Sequence, residues 1–283
     1  MDIFEKLQNL DKRVFYLLMA LAIAIPTISP IGLPVEVTPA VQRTYDFVKS
    51  LPEGSIVLMG YDYEPGDEID LNPMAQALYH QFAEKKIKVV AIASFPSAPM
   101  FAEYTMKVFE EYGYEYGKDY VHLGYYAGAE STLAAFGNDP RSIFSTDFYG
   151  TPLSELPLMK NISSMKDFAM AVTLNDGPTN GTGTHDWVRQ AVMAHGVPLI
   201  MGVTGVLAAS NETYVQSGQC KGILAGLRAA AEYEKLTDKK GSGTVGMDAQ
   251  SIAHLLIVIF VVMGNVAMFL SKKATPAKGG AKR

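Results

Sequence analysis

Two apolar runs near the ends of the chain constrain its architecture more than any other feature. Val14 to Leu33 is twenty residues without a charge, and Ile252 to Leu270 is nineteen. A helix needs about twenty such residues to cross the hydrocarbon core of a bilayer. The first run carries Pro26 and Pro30, with Pro34 beyond it, so it is expected to kink or unravel on leaving the membrane. A cleaved signal peptide is the rival reading. The run is long for an apolar signal core, and no small-x-small cleavage site follows it cleanly. The second run lies between Asp248–Ser251 and Lys272-Lys273, a basic stop that argues against a buried core helix. Asn265 inside it wants a hydrogen-bond partner, and a contact with another helix is the expected one.

Two spans place both termini on one side and the middle of the chain on the other. Lys6, Lys12 and Arg13 precede the first span, and Lys272, Lys273, Lys278, Lys282 and Arg283 follow the second. The inner flanks offer Arg43 and Lys49, then Lys235, Lys239 and Lys240. Cytoplasmic flanks carry the basic excess, so the reading is a cytoplasmic tail 1–13, a span 14–33, an extracytoplasmic domain 34–246, a span 252–270 and a cytoplasmic tail 271–283. The basic tail suits anionic lipid headgroups. The net charge of −5 argues against nucleic acid as a partner. Cys220 stands alone, which excludes an intrachain disulfide and a cysteine zinc cluster but does not choose a compartment.

Between the spans, short apolar runs alternate with amphipathic ones. Strands are expected at Ser55–Gly60, Ile87–Ala93, Tyr120–Gly124, Phe168–Leu174 and Pro198–Leu207, most of them apolar throughout, as in strands covered on both faces. Helical stripes fall at Met74, Ala77, Leu78 and Phe82, with Asn72-Pro73 as a start signal, and at Phe101, Tyr104, Val108 and Tyr112. Two more follow, at Trp187, Val188, Ala191 and Val192, then at Cys220, Leu224, Leu227 and Ala231, which makes Cys220 a core residue. The pattern predicts an α/β domain with a single doubly wound, mostly parallel sheet of Rossmann or flavodoxin type. Gly32–Ala40 reads as a stiff linker and Gly241–Gly246 as a flexible one. Residues 137–166, rich in proline and glycine, form an irregular excursion.

Open α/β sheets bind ligands beyond the carboxyl ends of their strands, and that rule selects candidates without a motif. After the first strand come Asp62, Glu64, Asp67, Glu68 and Asp70, five carboxylates in nine residues. A divalent cation would relieve their repulsion, but the spacing is not an EF-hand, and a solvated loop whose Asp70 helps the following helix start through its dipole is the plainer account. Ser94 and Ser97 follow the second strand, and Tyr125, Tyr126 and Glu130 the third. The loop from Asn175 to Asp186 brings Asn175, Gly181, Gly183 and Thr184 to a helix start, where backbone N–H groups favour an anion. It lacks G-x-G-x-x-G and the P-loop lysine. Asp176 and His185 are the candidate acid–base pair, with Ser97 or Ser210 as nucleophile, yet no G-x-S-x-G elbow exists. His80, His122 and His195 fall in structural patterns. Six tyrosines between Tyr112 and Tyr126 suggest a binding rim where exposed. Asn161, Asn180 and Asn211 begin glycosylation sequons.

No family resemblance emerges from these residues. The expectation is a membrane-anchored, extracytoplasmic α/β binding or assembly module, a non-catalytic subunit of a homo-oligomer or of a complex with other membrane proteins. The alternative is a membrane-tethered, metal-dependent hydrolase using the acidic loop.

Overall fold

The computed structural model describes residues 11–177 and 181–274. The far ends of both tails, and Pro178, Thr179 and the sequon residue Asn180, lie outside the described residues. The chain divides into a helical unit, made of the residues up to Leu33 and from Val245 onward, and a unit spanning Pro34–Thr244.

The larger unit is α/β, with one six-stranded sheet in the order β3-β2-β1-β4-β5-β6, every pairing parallel. The strands are β1 Ile56–Asp62, β2 Lys88–Ala93, β3 Tyr120–Tyr125, β4 Met170–Asn175, β5 Leu199–Val203 and β6 Gly222–Ala225. Of the two doubly wound orders this is the Rossmann one, which reverses between β1 and β4. Alternate residues of each strand enter opposite cores, because side chains leave a strand with a period of two. Val57, Met59 and Tyr61 join one cluster, and Leu58 joins the other.

The sheet is one strand larger than the sequence suggests. Cys220 and Leu224 do not share a helical stripe: Leu224 lies in β6, and Cys220 precedes it, buried in the core. Four residues are too few to display an alternating pattern. Gly222 within them is required sterically, since a Cβ there would overlap Thr44 of α2 (Pro39–Ser50). The stripe proper begins in the next helix, Gly226–Thr237, with Leu227 and Ala231.

The other helices depart in smaller ways. Helix α3 runs Glu68–Glu84 and buries Met74, Ala77, Leu78 and Phe82 as expected, but it starts a turn before Asn72-Pro73, leaving Pro73 inside it. Helix α4, Pro99–Met106, tightens into a 3-10 segment at Lys107–Tyr112. Tyr104 is half exposed, while Phe101 and Val108 of the expected stripe are buried. After α5 (Ala129–Asn138) the excursion is irregular apart from short 3-10 turns. Its Phe144, Leu153, Leu158, Met159, Ile162 and Met165 cover the second core, so much of it is architectural. Helix α6, Thr184–Trp187, continues as a π-turn to Met193, α7 spans Ala208–Gln216, and α8 is the Gly226–Thr237 helix.

In the helical unit, α1 is Lys12–Ile28 and α9 is Ser242–Ala274. Among the described residues only α9 is long and apolar enough, by length and composition, to cross a membrane. The expectation of one such helix at each end is therefore corrected. At 1.5 Å per residue the seventeen residues of α1 span about 25 Å, short of a core of about 30 Å. The chain leaves the helix at Ser29, because Pro30 cannot supply an N–H and Gly32 takes a left-handed φ of 69°. Phe15 of α1 meets Phe260 of α9 edge to face at 4.8 Å, and the Asp248 carboxylate accepts from Gly32 N and Leu33 N. The two helices thus run antiparallel. The Asn265 amide nitrogen donates to Val261 O of its own helix rather than to a neighbour.

The glycine-rich segment before α9 is no flexible linker, because the helix already begins at Ser242. The cause is Glu234 of α8, 2% exposed, whose carboxylate accepts from Gly241 N, Gly243 N, Thr244 N and Thr244 Oγ1 at 2.6–2.9 Å. It satisfies the orphan donors of the new helix and opposes its dipole. Glu234→Gln should lower stability by about 2 kcal/mol, the scale of hydrogen bonds to a charged group. Denaturant unfolding will measure this loss, and trypsin should cut the variant faster at Lys239 and Lys240.

A candidate site at the carboxyl edge of the sheet

The sheet reverses between β1 and β4, and Asp62, the last residue of β1, stands in register with Asn175, the last of β4. Asp62 is fully buried, so its carboxylate must find partners from the protein. Oδ1 accepts from Ser94 Oγ at 2.6 Å. Oδ2 accepts from Thr173 Oγ1 at 2.8 Å and from Trp187 Nε1 at 2.6 Å. Ser94 Oγ also accepts from Thr182 N, and Thr182 Oγ1 bonds the Tyr126 hydroxyl at 2.6 Å. Asn175 reaches Thr173 and Thr184. One polar knot thereby joins β1, β4, the loops after β2 and β3, and α6. Two glycines make room: a Cβ on Gly60 would overlap the Trp187 ring, and one on Gly181 would overlap Phe95 and Ser94.

Burial pushes the Asp62 carboxyl up to about 7, against the opposing pull of its three donors. Beside the knot, Asp176 Oδ2 accepts from Glu64 N at 3.0 Å, which ties the loop after β4 to the loop after β1. Burial and the nearby charge of Asp67 raise the Asp176 carboxyl to about 6. Among the described residues Asp176 Oδ1 is buried without a hydrogen-bond partner, and so is Thr204 Oγ1. These two residues follow Asn175 and Val203, which pair in the β4–β5 register, so the unpartnered atoms belong to adjacent strand ends.

The other candidates separate. Among the described residues no three His, Cys, Asp or Glu side chains come together to hold a metal ion. Of the five loop carboxylates, Asp62 is inside the knot and Glu64 offers its backbone to Asp176. Asp67 lies against Asp176, Glu68 lines an open hollow of about 470 Å³ with Ile69, Met100 and Tyr104, and Asp70 accepts from Gly205 N. The positive end of α3 already carries Glu68 and Asp70 in its first turn, an arrangement that repels phosphate where Rossmann folds bind it.

His185 is 60% exposed and faces Asp186 at 3.5 Å, not Asp176. Ser97 sits in the half-buried turn after β2, while Ser210 Oγ donates to Leu207 O. Gly183 caps α6, its N–H donating to Asp186 rather than waiting for an anion. Glu130 pairs with Arg189 and Gln190, and Tyr125 is exposed at the end of β3. His80 bonds Tyr112, and His195 bonds Gln190 O. Of the sequon asparagines, Asn161 is exposed, whereas Asn211 is buried with its amide donating to Leu207 O.

Sequence reasoning placed Asp62, Ser94, Tyr126, Asn175 and Thr184 at this end of the strands, Asp62 as a metal ligand rather than as the centre of a knot. It missed Thr173 and Trp187, which looked like core residues, and Thr204, which fell inside an over-long fifth strand. Thr173, a hydroxyl in the otherwise apolar run FAMAVTL, was the available signal. The chain has no significant match among protein-family models, curated proteins or solved structures.

A carboxyl raised in the folded state from its ordinary value of 3.8 to about 7 binds its proton more tightly folded than unfolded. Its contribution is present below pH about 4 and is lost as pH rises through about 7. Asp176 acts in the same direction over a narrower window. Stability measured by denaturant titration should therefore fall between those limits, and Asp62→Asn should flatten the decline. Gly60→Ala should cost about 1–3 kcal/mol, the usual penalty of overpacking, and should shift the fluorescence of Trp187, the single tryptophan.

Proposed function

We propose that the chain is a membrane-anchored α/β binding module, a non-catalytic subunit of a homo-oligomer or larger membrane complex. Its own small ligand would sit where β4 and β5 end. One observation carries the reading: Asp176 Oδ1 and Thr204 Oγ1, at adjacent strand ends on the edge where open α/β sheets bind ligands, are buried without partners. With Asp67 alongside, they suit a group that brings hydrogen-bond donors. The groups best placed for proton transfer, Asp62 and Ser94, are sealed into the knot, which favours binding over catalysis.

In this reading α9 is the membrane anchor, and α1 accompanies it as a second, shorter pass that local thinning of the bilayer accommodates. The Phe15–Phe260 contact and the outward apolar side chains of both helices support that pairing. Both termini would then be cytoplasmic and the α/β domain extracytoplasmic, following the basic flanks.

Native mass spectrometry of the full chain in detergent tests the ligand. The wild type should carry a bound mass that Thr204→Val loses, while the variant keeps its stability within about 1 kcal/mol, because an unpartnered hydroxyl contributes little. A much larger loss of stability would make Thr204 structural and remove the support. Topology is read from a cysteine placed at exposed Lys107 in a Cys220→Ser background. An impermeant reagent should label it in intact cells, and labelling only after lysis would reverse the orientation.

A further inference from the structure

The tyrosine-rich strip has a geometry of its own at the outer edge of β3, independent of the carboxyl-edge site. There the excursion turns back on the sheet, with Phe148 N donating to His122 O at 2.9 Å. Asp147, 4% exposed, holds this turn by accepting from Tyr149 N at 3.0 Å, Thr151 N at 2.7 Å and the Tyr116 hydroxyl at 2.9 Å. The turn sets the Tyr149 ring edge to face on Tyr116 at 5.0 Å, and Tyr116 meets Tyr120 edge to face at 5.3 Å. The three rings line a hollow of about 370 Å³ together with Glu103 and Met106 of α4 and with Lys107 and Glu110. That volume is at the small end for ligand pockets, about 300–1,000 Å³.

Its chemistry is selective. The Tyr149 hydroxyl donates to the Glu103 carboxylate and the Tyr116 hydroxyl to Asp147, which leaves both rings electron-rich. Glu103 and Glu110 add two negative charges against the one cation in the lining, Lys107. His122, which also lines the hollow, adds no charge at neutral pH, because burial holds its pKa down to about 4. An anion is repelled here, and a neutral apolar ligand would desolvate carboxylates without compensation. Ring faces offer no lone-pair oxygens to a metal ion. An alkylated ammonium group satisfies rings and carboxylates together.

We propose that this hollow binds a small organic cation, an alkylated or quaternary ammonium group, free or borne on a lipid headgroup. Isothermal titration calorimetry of the full chain in a maltoside detergent tests it, with choline chloride against its uncharged isostere 3,3-dimethyl-1-butanol. Choline should saturate and bind at least about tenfold more tightly than the isostere, the scale of a partly desolvated cation–π contact. Tyr149 is 56% exposed, so its replacement leaves the core intact. Tyr149→Leu should weaken choline about tenfold, while Tyr149→Phe, which keeps the ring, stays within about threefold. Lys107→Ala should tighten choline and leave the isostere unchanged. Failure of choline to saturate, equal affinity for the isostere, or wild-type affinity in Tyr149→Leu would each overturn the proposal. Nanodiscs decide the source. Weaker choline binding in phosphatidylcholine than in phosphatidylglycerol discs assigns the headgroup, and equal binding assigns the free cation; both outcomes uphold the site.

Discussion

A carboxylate with no access to water has to be answered by the protein, and the carboxyl edge of this sheet is organised around that demand. Asp62 draws a hydroxyl from the loop after β2, a hydroxyl from β4 and the indole of α6 to one point. Those groups come from three separate stretches of chain, so the bond set exists only when the sheet has its final order. Trp187 can reach the carboxylate only because Gly60 has no side chain in its path. The same knot defines what lies outside it. With Asp62 and Ser94 committed inward, the unpartnered polar atoms of that edge, among the described residues, are those of Asp176 and Thr204.

Buried carboxylates also govern where the chain enters and leaves the α/β unit. Glu232 accepts from Thr38 N and Oγ1 at 2.7–2.8 Å and so fixes the start of α2. Glu234, two residues on, caps the start of α9. Asp248 does the same for the turn at Gly32 and Leu33 within the helical unit. In each case an acid nearly excluded from solvent is satisfied by two or more donors at once, backbone N–H groups among them, which converts segments that look like linkers into defined structure. The excursion follows a related logic. Its turn at Asp147 bonds the open edge of β3, a position otherwise exposed to unwanted strand pairing.

The parts legible in the sequence were those written in local periodicity. Runs such as IKVVAIA and the stripe Met74, Ala77, Leu78 and Phe82 announced β2 and α3, because burial on a repeating face leaves a repeating pattern. The pattern failed where an element is too short to repeat, as in β6, and where pitch changes, as from α4 into its 3-10 continuation. It failed again at Gly241–Gly246, whose glycines signal freedom that Glu234 removes. For the candidate site, the rule that ligands gather at carboxyl ends of strands selected the edge where the knot lies, but it treated five nearby acids as one group. A strand end and a helix start separate them: Asp62 points into the knot, and Asp70 reaches the loop after β5.

What the sequence by itself determined is the alternation of strand and helix, the parallel and doubly covered sheet it implies, and a C-terminal helix able to cross a bilayer. Each follows from the spacing of apolar residues along a continuous stretch. Only the tertiary structure decided the strand order, the sixth strand, the length of α1 and the membership of both candidate sites. Those depend on residues distant in sequence meeting across the sheet, as Asp62 meets Trp187 and Tyr149 meets Tyr116. The physical reason is that periodicity records which face of an element is buried, whereas hydrogen-bond partners and ring contacts record what that face is buried against.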